Sequence, residues 1–281
     1  MKLTTANHDR DAAGMTYVYP VLSRRAGGVS VGINLNVNNA CNWRCIYCQV
    51  PDLRRGGPPP VDLARLEDEL RRMLTDILHG DFLERAVPEG MRRLNDIALS
   101  GNGEPTSAAE FPAVVELVGR LMDEFGLAGK IGLVLISNGS LMQRQSVQAG
   151  LRLLHALGGE VWFKLDRATA AGLRAVNQTQ TTPDKVLRNL ERCIGVCPTW
   201  IQTCVFSRNG RPPDEAEIAA YLALLGRALE HGAIPRGVLL YGLARPSTQP
   251  EAASLGRLPE AWLEALAERI GQLGLAVRVS P

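Results

Sequence analysis

The strongest constraint on the fold of this chain is an alternation, repeated six times, between short apolar segments and longer amphipathic segments. The short segments have the length and apolarity of buried strands, and the long segments carry apolar residues at helical spacing. The predicted strands are 29–36, 94–100, 131–137, 160–166, 200–206 and 237–243, and the predicted helices are 62–78, 108–125, 146–157, 183–194, 213–232 and 259–274. This order predicts an α/β fold in which helices cover a parallel sheet, and right-handed crossovers predict a partial, TIM-like (β/α)6 barrel.

The domain organisation follows from the same alternation. Residues 1–28 are predicted to be an irregular lead-in, and residues 29–281 a single domain, because no linker composition interrupts the series. The chain is 46% hydrophobic and 21% charged, which excludes a disordered, collagen-like or coiled-coil chain. Its net charge of +2 removes a whole-molecule signal for nucleic-acid binding but leaves room for a local basic patch. The polar N-terminus and the lack of a long apolar run predict a cytoplasmic protein without a membrane partner.

In a barrel of this type, functional residues lie at the C-terminal ends of the strands. Gly, Asn, Asp, Glu and Cys collect at those positions in this chain. The segments concerned are NNACNWRCIYC (38–48), SGNGEPT (100–106), ISNGS (136–140), KLDRAT (164–169), CVFSRNG (204–210) and YGLARP (241–246). This agreement between the predicted fold and the placement of polar residues favours an active site at that edge.

Three cysteines, Cys41, Cys45 and Cys48, follow the first predicted strand with C-x3-C-x2-C spacing. Thiolates are ligands for iron–sulfur clusters and for zinc. Three of them leave one iron of a [4Fe–4S] cluster open to a small molecule. The alternative is a zinc site completed by a distant Cys or His, in a non-catalytic zinc or electron-transfer module.

The cysteine loop resembles that of the radical S-adenosylmethionine (radical SAM) enzymes, because an aromatic residue, Tyr47, precedes the last cysteine. The resemblance implies that Cys41, Cys45 and Cys48 carry the catalytic [4Fe–4S] cluster and that S-adenosylmethionine binds its open iron. It also implies reductive cleavage to a 5′-deoxyadenosyl radical, which takes a hydrogen atom from a substrate. An electron donor such as flavodoxin or ferredoxin is then an expected partner.

The cofactor-binding residues are also implied by the resemblance. The sequence at 100–105 is similar to the family's Gly-Gly-Glu-Pro motif, which receives the amino group of the cofactor. The residues expected to bind the cofactor are Tyr47, Gly101, Gly103, Glu104, Ser137, Asn138, Lys164 and Asp166. The alternative for 100–105 is an ordinary turn between a strand and a helix.

Several residues near the predicted strand ends carry two interpretations each. Asp166 is either a ribose ligand or a helix cap. Asn177 either turns a helix end toward the cleft or has no role in the site. Val205 and Phe206 either contact adenine or belong to the core.

A second set of cysteines, Cys193, Cys197 and Cys204, has three interpretations. They are buried structural residues, ligands of an auxiliary cluster, or redox or substrate thiols. Free cysteine is often simply buried.

The finer resemblance is to the wybutosine-type, tRNA-modifying branch of the radical SAM family and its bacterial relatives. It rests on SRRAGGVSVGINL (23–35), CIYCQ (45–49), SGNGEPT (100–106), VWFKLD (161–166), WIQT (200–203) and YGLARP (241–246). It implies a tRNA base or a small metabolite as substrate, with Arg24, Arg25 and Arg245 as candidates for binding an anionic group. The competing interpretation is an activase that installs a glycyl radical on a partner protein.

Overall fold

The computed structural model describes residues 2–4, 13–23 and 27–281. Arg24 and Arg25, predicted to bind an anionic group, lie outside the described residues.

The strands occur along the whole of the described chain. In chain order they are β1 (Val18–Ser23), β2 (Gly28–Ile33), β3 (Ala40–Cys41), β4 (Arg54–Arg55), β5 (Leu94–Leu99), β6 (Gly132–Ser137), β7 (Glu160–Lys164), β8 (Thr199–Cys204), β9 (Ser207–Arg208), β10 (Gly237–Tyr241), β11 (Leu255–Gly256) and β12 (Val277–Ser280). The six predicted strands correspond to β2, β5, β6, β7, β8 and β10.

The helices alternate with the longer strands, as predicted. They are α1 (Leu63–His79), α2 (Phe82–Ala86), α3 (Phe111–Glu124), α4 (Gln145–Ala156), α5 (Ala170–Gly172), α6 (Pro183–Ile194), α7 (Glu215–Glu230) and α8 (Glu260–Gly271). A π-helical turn spans Leu173–Asn177, and short 3-10 turns include Pro105–Ser107. In the described ranges, no helix is both long enough and apolar enough to cross a bilayer.

Helix ends follow the local rules that the sequence suggests. The side chain of Asp62 accepts a hydrogen bond from the Arg65 amide at 3.0 Å and begins α1. Thr182 caps α6 in the same way, at 3.3 Å from the Lys185 amide, and Pro183 occupies the first turn. The buried residues of α1 recur at helical spacing and form its core-facing side: Leu66, Glu69, Leu70, Met73, Leu74 and Ile77.

The described contacts divide the chain into two compact units. The first consists of Met1–Cys41, Gly56–Ile136 and Gln145–Glu160. Its long strands follow the order β1-β2-β5-β6, with β1 antiparallel to β2 and the other pairs parallel. The helices α1, α3 and α4 belong to this unit, and α3 packs on α4.

Strand β1 corrects the prediction that residues 1–28 are irregular throughout. The segment Val18–Ser23 pairs with β2 along its whole length. Pro20 obscures this strand in the sequence, because proline lacks a backbone N–H and is confined to edge strands, which is where β1 lies. The buried carboxylate of Glu69 accepts from the amides of Tyr17 at 2.7 Å and Val18 at 3.3 Å, so the start of the strand is anchored to α1.

The second unit consists of Asn42–Arg55, Ser137–Arg144 and Val161–Pro281. Its strands β7, β8, β10 and β12 lie side by side in that order and are all parallel. Strand β12 was not predicted, because its four residues are only partly buried and therefore lack a clear apolar pattern. The prediction that 29–281 forms one domain stays a prediction.

Candidate functional site

The predicted ligand cysteines occupy the loop after β2. Cys41 ends the first segment of the first unit, and Cys45 and Cys48 belong to the second unit. All three cysteines are free of disulfide bonds and partly exposed. In the part of the chain that the structure describes, no three His, Cys, Asp or Glu side chains are arranged as a metal site, so convergence of the three sulfurs stays a prediction.

The segment 247–249, which the sequence analysis did not single out, holds the cysteine loop through its backbone. The Ser247 hydroxyl lies within hydrogen-bond distance of the carbonyls of Ile46, at 2.8 Å, and Cys48, at 3.0 Å, and shares its one hydrogen between them. The Thr248 amide also donates to Cys48, at 3.0 Å, and Gln249 Nε2 donates to Val50 at 2.9 Å. These bonds satisfy the loop carbonyls, so its conformation has support that is independent of a metal.

Arg44 ties the same loop to the residues that follow this segment. Its guanidinium forms a two-pronged ion pair with Glu251, at 2.6 and 3.2 Å, and its Nε donates to Gln178 Oε1 at 2.8 Å. Burial raises the pKa of Glu251, but the hydrogen bonds from Arg44 outweigh it and the pKa lies below its ordinary value. Glu251 therefore stays charged at neutral pH and keeps Arg44 in place.

Asp166, directly after β7, is a buried carboxylate on which three parts of the second unit meet. One oxygen accepts from the Tyr47 hydroxyl at 2.5 Å and from Asn177 Nδ2 at 2.8 Å, and the other accepts from the Cys204 amide at 3.0 Å. The cap interpretation is wrong, because Thr169 caps the helix that follows. Asp166 thus orients Tyr47, and its role toward ribose stays a prediction.

Lys164, at the end of β7, lies among the aromatic rings beneath the loop. Its Nζ lies 3.2 Å from the Tyr241 hydroxyl and 5.1 Å from the centre of the Tyr47 ring. Burial works to lower the pKa of Lys164, but Tyr241 and Asp166 outweigh it and raise the pKa above its ordinary value. Lys164 is therefore a partly buried cation at neutral pH.

Burial dominates the protonation of the groups next to Lys164. It raises the pKa of the Cys45 thiol far above its ordinary value, Asp166 raises it further, and Lys164 acts in the opposite direction. Burial, followed by Asp166, also raises the pKa of Tyr47. Tyr47 is consequently a neutral hydrogen-bond donor.

Ser137 and Asn138, at the end of β6, shape a turn that meets the cysteine loop. The amide Nδ2 of Asn138 donates to Asn42 Oδ1 at 2.8 Å, and Ser137 Oγ accepts from the Gly139 amide at 3.0 Å. Gly139 has a φ of 70°, and a Cβ there would collide with Phe163. Within the second unit, the turn at 137–139 therefore adjoins the cysteine loop, while cofactor contact by Ser137 and Asn138 is a proposal.

In the first unit, the glycines of the loop 100–106 allow a close approach of two backbone segments. A Cβ on Gly101 would collide with Asn34, and one on Gly103 would collide with the Ala40 carbonyl. Glu104 is buried and accepts from the Thr106 amide at 3.1 Å and hydroxyl at 2.6 Å. These contacts explain why the motif at 100–105 forms a tight turn. Its role in cofactor binding stays a prediction.

The second set of cysteines is fully buried: Cys193 is 0% exposed and Cys197 and Cys204 are 1% exposed. Cys193 Sγ contacts Thr199 Oγ1, at the first residue of β8, at 3.4 Å. Cys204 is the last residue of β8, five steps along, and a rise of about 3.3 Å per residue separates the two ends by roughly 16 Å. One auxiliary cluster held by all three cysteines is therefore wrong, and the structural interpretation is favoured.

Four further predicted residues have a defined place in the second unit. Val205 and Phe206 are buried, and the Phe206 ring packs 5.5 Å from that of Tyr47, which favours the core interpretation. The Arg245 carbonyl accepts from Gln49 Nε2 at 3.5 Å, so Arg245 lies beside the cysteine loop. Asn177 ends the π-helical turn, and its side chain reaches Cys45.

Comparison with protein families and curated proteins does not assign the chain to a family. No protein-family model matches the chain. One curated protein, GTPase Obg from Brachyspira hyodysenteriae, is 24% identical over 135 residues, which are 47% of this chain and 17% of that protein. This chain has no G-x4-G-K-[ST] phosphate-binding sequence, so we carry no activity over from that match.

Solved structures provide the clearest likeness. A radical SAM methyltransferase from Sphaerobacter thermophilus superposes on 94% of this chain and 68% of its own, with a TM-score of 0.58 and 14% identity. A domain of pyruvate-formate lyase-activating enzyme from Bacteroides vulgatus covers 66% of this chain and 99% of its own, with a TM-score of 0.45 and 14% identity. The radical SAM methyltransferase TsrM from Kitasatospora setae covers 72% of this chain and 34% of its own, with a TM-score of 0.45 and 17% identity. The first of these likenesses shows that the chain has the fold of a radical SAM enzyme and confirms the predicted partial α/β barrel.

Proposed function

We propose that this protein is a radical SAM enzyme that uses a [4Fe–4S] cluster and S-adenosylmethionine to abstract hydrogen from its substrate. The observation that carries the proposal is the C-x3-C-x2-C loop directly after β2. This loop stands on a chain whose fold is that of a radical SAM enzyme over 94% of its length. Neither observation alone suffices, because similar cysteine spacings occur in zinc sites and folds host many activities.

The chemistry of the three donor groups suits a cluster with one open iron. Cys41, Cys45 and Cys48 supply three soft ligands, and hydrogen bonds from Ser247 and Thr248 hold the loop backbone. When bound, the cluster supplies the electron that cleaves S-adenosylmethionine to methionine and a 5′-deoxyadenosyl radical. The chain's part is to bind the cofactor, orient it and exclude water.

We propose that residues of opposite charge bind the charged groups of S-adenosylmethionine. The carboxylate of Glu104 and the close-packed backbone at Gly101 and Gly103 receive the ammonium group. The cation of Lys164 faces the carboxylate of the cofactor or the substrate. The remaining polar contacts, including those to the ribose hydroxyls, come from Tyr47, Ser137, Asn138 and Asp166.

For the substrate we propose a tRNA base or a small metabolite, in keeping with the resemblance to the wybutosine-type branch. We further propose flavodoxin or ferredoxin as the electron donor and the cytoplasm as the location. The activase alternative predicts that a glycyl-radical enzyme copurifies with the chain. Comparison of tRNA nucleosides and metabolites between a deletion strain and its parent distinguishes these substrates.

The proposal is tested by purifying the protein without oxygen and measuring iron, sulfide and zinc. We expect brown protein absorbing near 400 nm and, after reduction with S-adenosylmethionine present, 5′-deoxyadenosine detected by mass spectrometry. Zinc in place of iron would establish the zinc-module alternative, and a cluster that never cleaves S-adenosylmethionine would establish electron transfer. S-adenosylhomocysteine as an additional product would indicate methyl transfer, the activity named for the Sphaerobacter thermophilus structure.

A further inference from the structure

The side-chain amide of Asn177 reaches the sulfur of one predicted cluster ligand. Its Nδ2 lies 3.3 Å from Cys45 Sγ and 2.8 Å from Asp166 Oδ2. Asn177 is completely buried. It contacts Cys45 although the two residues are 132 positions apart in sequence. A sulfur and a carboxylate therefore share the two N–H bonds of one amide.

The orientation of this amide follows from its neighbours. An ionised carboxylate only accepts hydrogen bonds, so Nδ2 and not Oδ1 must face Asp166, and the second N–H is left for the sulfur. In the described part of the chain, Asn177 Oδ1 is buried without a hydrogen-bond partner. A buried acceptor without a hydrogen-bond partner destabilises the fold, and an apolar side chain would fill the same space without this cost. The cost therefore indicates that the amide has a role beyond packing.

The backbone around Asn177 keeps this contact in register. The Val176 carbonyl accepts from the Ile46 amide at 2.9 Å, and the Asn177 carbonyl accepts from the Arg44 amide at 3.3 Å. The residues on both sides of Cys45 are thus bonded to the end of the π-helical turn. Turns of this type recur at functional sites. Gln178, with a φ of 49°, ends the turn and accepts from Arg44 Nε.

We propose that Asn177 is a positioning residue that donates an N–H···S hydrogen bond to the Cys45 ligand and thereby raises the reduction potential of the cluster. The inference rests on the proposed function, since it requires a cluster at Cys45. Reduction adds negative charge to the cluster and its sulfurs, and a hydrogen-bond donor stabilises the reduced form more than the oxidised form. Hydrogen bonds to sulfur are one of the factors that set cluster potentials.

The test is a redox titration of the iron-loaded protein without S-adenosylmethionine, followed by electron paramagnetic resonance. At the potential that half-reduces the wild-type cluster, we expect the ratio of reduced to oxidised cluster in Asn177→Leu to be about tenfold lower. For a one-electron couple, this corresponds to a reduction potential about 59 mV lower than that of the wild type. Asn177→Ala, which removes the donor without adding bulk, should shift in the same direction. Asn189→Leu is the matched control, because Asn189 is a buried amide that donates to the Gly139 carbonyl at 2.8 Å.

The outcomes separate this inference from the proposed function. An iron-loaded Asn177→Leu or Asn177→Ala with the wild-type potential overturns the inference alone. The inference also fails if both variants fold but hold no iron, or if both lose their cooperative melting transition, because Asn177 would then be needed for loading or folding. A shift of equal size in the reduction potential of Asn189→Leu would overturn the inference too, because the effect would then come from the loss of any buried amide and not from the N–H···S hydrogen bond. Wild-type protein that holds no iron overturns the proposed function itself.

Discussion

The two groups of three cysteines have similar spans in sequence, 41–48 and 193–204, but very different surroundings. The first group is partly exposed and lies at the end of β3 and on the loop after it, and Cys45 adjoins an amide, a carboxylate and a lysine. The second group is distributed over α6, the turn after it and β8, and is fully buried. Short sequence spacing therefore does not suffice to bring sulfurs together, because a strand carries its ends apart at about 3.3 Å per residue.

The largest expected difference between the two groups is in iron content. Cys45→Ala should abolish cluster loading and all cleavage of S-adenosylmethionine, because two thiolates do not hold the cluster in place of three. Cys204→Ala is the matched control in the second group and should keep its full iron content. Iron analysis and the yield of 5′-deoxyadenosine measure both effects. Surviving cleavage in Cys45→Ala would show that the loop has been assigned wrongly.

Alkylation of the iron-free, folded protein should separate the groups by at least about 10³-fold in rate. Cys41 and Cys48 are partly exposed, whereas the second group becomes accessible only through unfolding, and a typical unfolding free energy of about 5 kcal/mol or more gives this factor. Mass spectrometry of peptides after timed labelling provides the rates. Rapid labelling of Cys193 in folded protein would contradict its burial.

Glu104→Gln should separate cofactor binding from cluster loading. The variant keeps an oxygen for the Thr106 contacts but loses the charge proposed for the ammonium group. We expect S-adenosylmethionine to bind roughly tenfold to a hundredfold more weakly, since a hydrogen bond to a charged group contributes about 1.5–3 kcal/mol, while the iron content stays unchanged. Calorimetry gives the affinity, and Glu116→Gln, on an exposed position of α3, serves as the control. Equal affinity in both variants would remove Glu104 from the site.

The second group should matter for stability instead. Cys193→Ala removes a buried sulfur between α6 and Thr199 and should lower the free energy of unfolding by about 1–2 kcal/mol, through the cavity it leaves. Cys48→Ala, at a partly exposed position, should cost less than about 0.5 kcal/mol. Urea unfolding measures both values, and the reverse order would contradict the assignment of a structural role to the second group.

The same thiol should also give the stability of the protein a pH dependence. Burial raises the pKa of Cys193 from 9.0 to about 12, and the hydrogen bond with Thr199 works against this. The folded state therefore favours the protonated thiol, so its contribution to stability is complete below about pH 9 and is lost as the pH rises toward 12. Between pH 8 and 10.5, wild-type protein should lose more unfolding free energy than Cys193→Ala. Equal losses would mean that this thiol titrates as it does in the unfolded chain.

The repeating elements could be predicted because they are recorded locally in the sequence. Strand β7 begins at the predicted residue, Glu160, and α6 has the predicted bounds, since its apolar residues keep helical spacing and Pro183 opens its first turn. Strand β1 was missed because Pro20 is atypical of a strand interior. Strand β12 was missed because partial exposure weakens its pattern.

The hydrogen bonds that hold the candidate site could not be predicted from local sequence patterns. Ser247 lies 201 residues from Ile46, and neither its type nor its neighbours indicate that it holds a loop so far away. The contact between Asn177 and Cys45 likewise depends on a π-helical turn that has no recognisable pattern in the chain.

Periodicity and cysteine spacing were thus sufficient for the class of fold and for the loop on which the proposed chemistry depends. Tertiary packing alone decided which cysteines are buried, what Asp166 binds, and which amide meets the Cys45 sulfur. The physical reason is that apolar periodicity reflects one face of a local element. Hydrogen bonds between distant polar groups depend on where whole elements come to rest.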